Sequence, residues 1–404
     1  MFPSLNEQMD IIRTGTLDLL PEDELEAKIN RSIKENKPMT IKLGADPSRP
    51  DLHIGHGVVL HKLRQFQDLG HRVVLIVGDF TGMIGDPTGK SKTRPALSIE
   101  ETRANGQSYL EQATKLLRAD SLEVRYNSDW LGKMNFMEVI KLASNYTVAQ
   151  LLERDDFSKR FKAGTPISVH EFMYPLAQAY DSFAIKSDIE VGGSDQKFNL
   201  LVGREIQKAY GCEPQCILTM PILEGTDGVE KMSKSLGNYI AFTDTPREIF
   251  GKVMSISDAL TTRYFQYGAF ASDEEVKKMA DGLKDGSVHP RNAKVETAMR
   301  IVEIYHDKAA AQGAFDEFER MFVKKDIPDE VDTFVLPAAE MTIVEAVAAA
   351  GMVASKKEAK KMIEQGGVYI DGERVAEIGQ KADFSTKHLL KVGKRKFMYA
   401  VYNA

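Results

Sequence analysis

The feature that most limits what this chain can fold into is a turn between a β-prone run and an amphipathic helix. Met39-Thr40-Ile41-Lys42-Leu43 leads into Ala45-Asp46-Pro47-Ser48-Arg49-Pro50-Asp51-Leu52-His53-Ile54-Gly55-His56, after which Val58, Val59, Leu60, Leu63 and Phe66 recur at helical spacing until Gly70. The prolines keep the turn out of helix, and Asp51 is the expected cap of the helix that follows. His53 and His56 then share one face of the first turn, where backbone N–H groups attract anions. Gly55 between them leaves the backbone bare where a flat ring can lie. Two histidines at a helix start are also ordinary surface residues; a glycine between them, after a strand, points to a nucleotide.

A second stretch answers the first. Lys231-Met232-Ser233-Lys234-Ser235 follows Glu224-Gly225-Thr226-Asp227-Gly228, which puts two lysines three apart on a glycine-hinged loop over 224–238. Such a loop can clamp a triphosphate whose charge shifts during reaction. An isolated K-x-x-K is a solvated loop. Here it lies about 175 residues beyond His56, and the two motifs in that order carry the reading together.

A chain of 404 residues, 43% of them hydrophobic, can bury a large core in two or three domains. Its formal charge of −6 is unevenly spread: residues 351–404 hold eleven Lys and Arg against six Asp and Glu, a surplus of five, so the remainder stands at −11. The basic end is the expected RNA surface. Cys212 and Cys216 complete neither a zinc site nor a C-x-x-C pair and are expected as reduced thiols in a cytoplasmic protein. Residues 1 to 30 are acidic and amphipathic, and no apolar run reaches membrane-spanning length.

In chain order, residues 1–36 read as supporting helices. Residues 37–247 read as an α/β domain built on a doubly wound, Rossmann-type parallel sheet, beginning with a βαβ unit that ends in Arg72-Val73-Val74-Leu75-Ile76-Val77. The stretch Gly78 to Ser91 is glycine-rich, but Ile84 stands where a Walker A motif needs glycine, so a P-loop is excluded on spacing. At such a strand end Asp79 or Asp86 could hold an ammonium group, and Lys90 and Arg94 a phosphate, or all four could be turn residues and exposed charges. Asn127 ends the next strand, as a turn former or a pocket residue. Around Tyr174-Pro175, with Pro175 suited to a first helical turn, Tyr174, Gln178 and Asp181 share one helix face and present a phenol, an amide and a carboxylate. That face is a pocket wall for a small polar ligand.

Ile189-Glu190-Val191 then runs into Gly192-Gly193-Ser194-Asp195-Gln196, where Asp195 suits ribose hydroxyls and Gln196 an amino-acid ammonium or carboxylate. Residues 248–325 read as a helical domain, 326–340 as a linker around Pro328, and 341–404 as a small α+β unit with an Asp371-Gly372 hairpin turn. The helix carrying Lys356, Lys357, Lys360 and Lys361 beside that hairpin resembles the small RNA-binding domain shared by a ribosomal small-subunit protein and pseudouridine synthases.

With H-I-G-H, I-G-D-P-T-G-K, Y-P-x-x-Q-A-Y-D, G-G-S-D-Q and K-M-S-K-S in that order, nearly the whole chain resembles the bacterial tyrosyl-tRNA synthetases, a family of class I aminoacyl-tRNA synthetases. The resemblance implies ATP as substrate with magnesium carried on it, no protein-bound metal site, L-tyrosine and tRNA(Tyr) as partners, and a homodimer contacting through helices near 130–165. It also implies that residues 248–325 recognise the anticodon. Carried over by position, Tyr174, Gln178 and Gln196 hold the tyrosine ammonium and carboxylate, Asp86 and Asn127 lie nearby, and Asp181 receives the phenol hydroxyl. His53 and His56 steady the reacting phosphates, and Gly193 and Asp195 lie by the ribose. Asp46, Ser48, Gly55, Met232 and Ser233 complete the ATP site, and Lys90, Arg94, Lys231 and Lys234 bind the departing pyrophosphate. Many members have tyrosine where this chain has Lys42; a lysine there either donates to the phenol or points away. A tryptophan-specific relative and a non-catalytic RNA-binding paralogue are the alternatives, disfavoured by Asp181 and by the intact motifs.

Overall fold

The computed structural model describes residues 2–47, 51–87, 99–322, 331–393 and 396–402, with the side chains of Ile99 and Phe322 set aside. The chain divides into two compact units, 1–311 and 312–404.

The first unit is organised by a six-stranded sheet of β1 (Asp18–Leu20), β2 (Thr40–Ala45), β3 (Arg72–Val77), β4 (Leu122–Tyr126), β5 (Ile189–Gly193) and β6 (Cys216–Met220), in the order β1-β6-β5-β2-β3-β4. All neighbours are parallel except β1, which runs antiparallel to β6. Val73 through Val77 and Cys216 through Met220 are buried without alternation, as strands covered on both faces must be, and each such side chain contributes about 2 kcal/mol of burial. The order makes β2 and β5 neighbours at the switch point, where an open α/β sheet leaves a crevice beyond its carboxyl ends.

The helix Val169–Ile185 packs on Lys197–Ala209 through Leu176, Ala179, Val202 and Ile206. Helices between Pro246 and Tyr305 complete the unit. At the N-terminus, buried Lys62 donates to the carbonyls of Ile11, Ile12 and Thr14 at 2.9, 3.2 and 2.8 Å, satisfying the end of the helix Leu5–Arg13.

The second unit carries a five-stranded sheet in the order β10-β9-β12-β13-β7 and a pair β8–β11. The strands are β7 (Thr333–Val335), β8 (Glu340–Thr342), β9 (Val368–Ile370), β10 (Glu373–Arg374), β11 (Lys381–Asp383), β12 (His388–Val392) and β13 (Lys396–Val401). Its core gathers Leu336, Ile343, Val347, Ile363, Phe384 and Leu390. The β9–β10 hairpin turns through Asp371 and Gly372, both at positive φ, as an Asp-Gly turn requires.

Four expectations are corrected. The N-terminal segment is not only helical, because β1 lies between its helices and closes the sheet edge. Residue 51 does not cap the helix Ile54–Asp68: His53 occupies that position and Asp51 pairs with Lys234. Pro175 sits inside a helix that begins at Val169 after Ser168, whose backbone N–H donates to Glu171 Oε1 at 2.8 Å. The expected linker 326–340 contains β7, paired in parallel with β13, and buried Leu336; its residues 326–330 lie outside the described residues. A three-residue strand is invisible to periodicity and forms only when its partner arrives from 66 residues away.

Candidate active site

A cavity of about 370 Å³ opens at the carboxyl ends of β2, β3 and β5. Asp181, 2% exposed, stands at its inner wall. Trp130 Nε1 donates to its Oδ1 at 2.8 Å and Asn127 Nδ2 to its Oδ2 at 3.2 Å. Burial pushes this carboxyl up to about 7, although the charge of Lys42 and both hydrogen bonds pull it down. Asn127 is itself held by the Phe80 N–H at 2.9 Å and donates to Thr81 Oγ1 at 3.0 Å.

Asp46 stands at the mouth of β2. Its Oδ1 accepts from Thr81 Oγ1 at 2.7 Å and its Oδ2 from Tyr174 Oη at 2.8 Å. A Cβ at Gly78 would stand 1.9 Å from Asp46 Oδ1, so only glycine lets this pair form. Burial, followed by the charges of Asp46 and Asp86, raises the Tyr174 phenol well above its usual range and keeps it neutral.

Asp86 belongs to a closed ring of four side chains. Gln196 Nε2 and Arg154 Nη2 donate to it at 3.0 and 3.2 Å, Asn199 Nδ2 donates to Gln196 Oε1 at 2.9 Å, and Arg154 Nη1 donates to Asn199 Oδ1 at 3.2 Å. Asp79 is elsewhere: buried, it accepts from Ser128 N and Oγ at 2.9 and 2.6 Å and from Arg103 Nε at 3.0 Å. Of the two candidates for the ammonium group, Asp86 is the one at the cavity.

At the other end, His53 and His56 rings stand 3.9 Å apart, and the His53 backbone N–H donates to His56 Nδ1 at 3.2 Å. A main-chain N–H can only donate, so a neutral His56 carries its proton on Nε2. Burial lowers His56 to about 4, with Lys234 and Lys231 adding to the effect, and lowers His53 well below its usual range. Both rings are uncharged at neutral pH. A Cβ at Gly55 would lie 3.0 Å from His53 Nδ1, so the glycine gives that ring its place.

Lys231 Nζ reaches Asp195 Oδ2 at 3.0 Å, and Lys234 pairs with Asp51. The loop is braced at its base: the main chains of Glu224 and Lys231 pair in an isolated antiparallel bridge, and Asn238 accepts the Ser233 N–H at 2.8 Å while donating to Asp227 at 2.7 Å.

Asp46, His53, Gly55, His56, Asp86, Asn127, Tyr174, Gln178, Asp181, Gly193, Asp195, Gln196, Lys231, Met232 and Ser233 line this one cavity. Lys234 and Lys42 do not line it. Lys42 is wholly buried, with Nζ 2.8 Å from Glu190 Oε1, 2.8 Å from Ser182 Oγ and 3.0 Å from the Gln178 carbonyl, so these three acceptors take up its three protons. Ser48, Lys90 and Arg94 lie outside the described residues. Among the described residues, no group of three or more His, Cys, Asp and Glu is placed to hold a metal ion. Sequence reading missed Thr81, Trp130, Arg154 and Glu190; only Trp130, the one tryptophan of the chain, carried a signal. In the second unit Lys356, Lys357, Lys360 and Lys361 are all exposed on the helix Lys356–Glu364, whose Ala359 and Ile363 are buried.

An open, mostly parallel sheet whose switch-point crevice is lined by His53, Gly55 and His56 of H-I-G-H and by Lys231, Met232 and Ser233 of K-M-S-K defines a class I tRNA synthetase. The family described as tRNA synthetases class I (W and Y) matches residues 34–323, and the tyrosine–tRNA ligase SYY-like C-terminal domain matches residues 321–400. The chain is 51% identical to a tyrosine–tRNA ligase of Bdellovibrio bacteriovorus over 98% of its length and 99% of that protein's, and 51% identical to one of Thermotoga maritima over 97% and 96%. It belongs to the tyrosine–tRNA ligase family. Its fold is similar to that of the crystal structure of tyrosyl-tRNA synthetase complexed with L-tyrosine from Archaeoglobus fulgidus, at a TM-score of 0.64 and 22% identity, over 77% of this chain and 99% of that one.

Proposed function

We propose that this enzyme activates L-tyrosine with ATP and transfers the tyrosyl group to the 3′ end of tRNA(Tyr). The observation that carries the reading is a single cavity with a buried, hydrogen-bonded carboxylate at one end, Asp181, and a paired-histidine helix start at the other. The phenol hydroxyl donates to Asp181, and the ammonium group lies among Asp86, Tyr174, Gln178 and Gln196. The substrate carboxylate oxygen then attacks the α-phosphorus of ATP, forming the acyl–phosphate bond as the bond to pyrophosphate breaks. His53 and His56, neutral before ATP binds, and the two loop lysines stabilise charge moving onto the leaving group; the lysines exchange Asp195 and Asp51 for phosphate oxygens. Lys90 and Arg94 contribute to the same phosphates, Ser48 to the nucleotide, and magnesium travels on ATP. A terminal ribose hydroxyl of the tRNA takes the tyrosyl group and releases AMP in the cytoplasm, where tRNA is charged.

The working unit is a homodimer. Phe136, Met137 and Val169 are 78%, 80% and 80% exposed, with Ile140, Val148 and Phe161 also open, an apolar surface concentrated on one stretch of the catalytic unit. Residues 248–325 recognise the anticodon, and the four lysines on the helix Lys356–Glu364 bind RNA backbone.

ATP–pyrophosphate exchange with tyrosine, tryptophan and phenylalanine tests the reading. Exchange supported by tyrosine alone, together with charging of tRNA(Tyr), is the expected outcome; exchange with tryptophan instead, or none, overturns it. Met137→Glu should convert the dimer to monomer by light scattering.

A further inference from the structure

Glu190 is a carboxylate of the cavity wall that accepts from four donors, and the mechanism above does not use it. It lies on β5 directly opposite Lys42 of β2, a cross-strand pair in register. Its Oε1 accepts from Lys42 Nζ at 2.8 Å and Gln178 Nε2 at 3.2 Å; its Oε2 accepts from Ser182 Oγ at 3.0 Å and Gln215 Nε2 at 2.5 Å. Four donors saturate a carboxylate, which is 1% exposed, and Lys42 neutralises it. Gly203 makes room for this cluster, since a Cβ there would stand 2.4 Å from Gln215 Nε2.

A carboxylate can only accept, so Gln178 turns its NH₂ toward Glu190 and commits one of its two amide protons there, which fixes the sense of the amide and turns its carbonyl oxygen, its one acceptor, away from this carboxylate. Lys42 holds the same residue a second time by donating to its main-chain carbonyl. We propose that Glu190, held by Lys42, is a positioning residue that orients the Gln178 amide with its oxygen toward the substrate, so that Gln178 accepts from the substrate ammonium group and does not donate to its carboxylate. In Lys42 the chain thus carries a lysine whose work is to anchor this carboxylate.

The proposal rests on the tyrosine-site reading, and two phenolic ligands separate it from that reading. Tyramine has the ammonium and lacks the carboxylate; 3-(4-hydroxyphenyl)propionate has the carboxylate and lacks the ammonium. In Glu190→Gln the amide at 178 loses its fixed sense, and binding of tyramine and tyrosine should weaken by about 10-fold, the order of one hydrogen bond to a charged group, while the propionate binds as before. In a Gln178→Ala background the same replacement should no longer affect tyramine. Equal weakening of both ligands, or an undiminished effect without Gln178, overturns the proposal and leaves Glu190 a structural residue. Wild-type protein that binds neither tyrosine nor tyramine overturns the tyrosine-site reading instead. Should Glu190→Gln alone leave Lys42 without its anion and the chain unfolded, the neutral double variant Lys42→Met with Glu190→Gln carries the same comparison by calorimetry.

Discussion

Trp130 donates its indole N–H to Asp181 Oδ1 at 2.8 Å, from a short helix 51 residues earlier in the chain. The bond favours the ionised carboxyl, while burial, the larger effect, opposes it and leaves Asp181 at about 7. Whether this group carries charge is therefore decided within the working pH range.

Tyrosine use should accordingly rise with pH. An ionised Asp181 accepts the phenol hydroxyl, so kcat/KM for tyrosine in pyrophosphate exchange should climb through a midpoint near 7, and Trp130→Phe, which removes a bond to the ionised form, should move that midpoint higher. The stability effect has the opposite sense. Because the folded carboxyl binds its proton more tightly than the unfolded one, this group's contribution is fully present below the unfolded value and is lost as pH rises toward 7. Superimposable profiles for wild type and Trp130→Phe would show that the indole does not set the charge on Asp181.

Asp181→Ala should erode discrimination between tyrosine and phenylalanine by roughly 10- to 100-fold, chiefly through loss of tyrosine binding, because only the phenol offers a donor to this carboxylate. Competitive exchange with the two amino acids measures it. A mutant that keeps the wild-type preference would place specificity elsewhere on the wall.

Lys231→Ala and Lys234→Ala should each slow adenylate formation by roughly 10- to 1,000-fold with little change in tyrosine affinity. Both lysines rest on carboxylates, Asp195 and Asp51, and not on groups of the tyrosine end, so their contribution falls on the phosphates. Pre-steady-state rates and equilibrium tyrosine binding separate the two effects, and a parallel collapse of tyrosine binding would falsify the assignment.

A chain ended after residue 322 should still form tyrosyl-adenylate yet charge tRNA poorly. The residues assigned to adenylate chemistry belong to the first compact unit, whereas the exposed lysines of 356–361 belong to the second. Charging by the full chain should also fall with salt more steeply than exchange does. Exchange and charging measured together across a salt series check this; lost exchange in a folded truncation would assign the second unit to the active site.

The sequence by itself determined the chemistry's parts. H-I-G-H and K-M-S-K are local, and Tyr174, Gln178 and Asp181 reach one wall because i, i+4 and i+7 share a helix face whatever the helix packs against. The glycine-rich strand ends were legible for the same reason. Tertiary structure alone decided which charges meet. Arg154 reaches Asp86 across 68 residues, closing a ring that no spacing announces. Lys42 is spent on Glu190 because β5 lies beside β2, and strand order is set by how whole layers bury their apolar faces, not by any stretch of the chain. The same holds for β1 and β7, short strands that exist only where a partner edge is waiting. Periodicity is a property of neighbours in sequence; the pairing of buried charges is a property of neighbours in space.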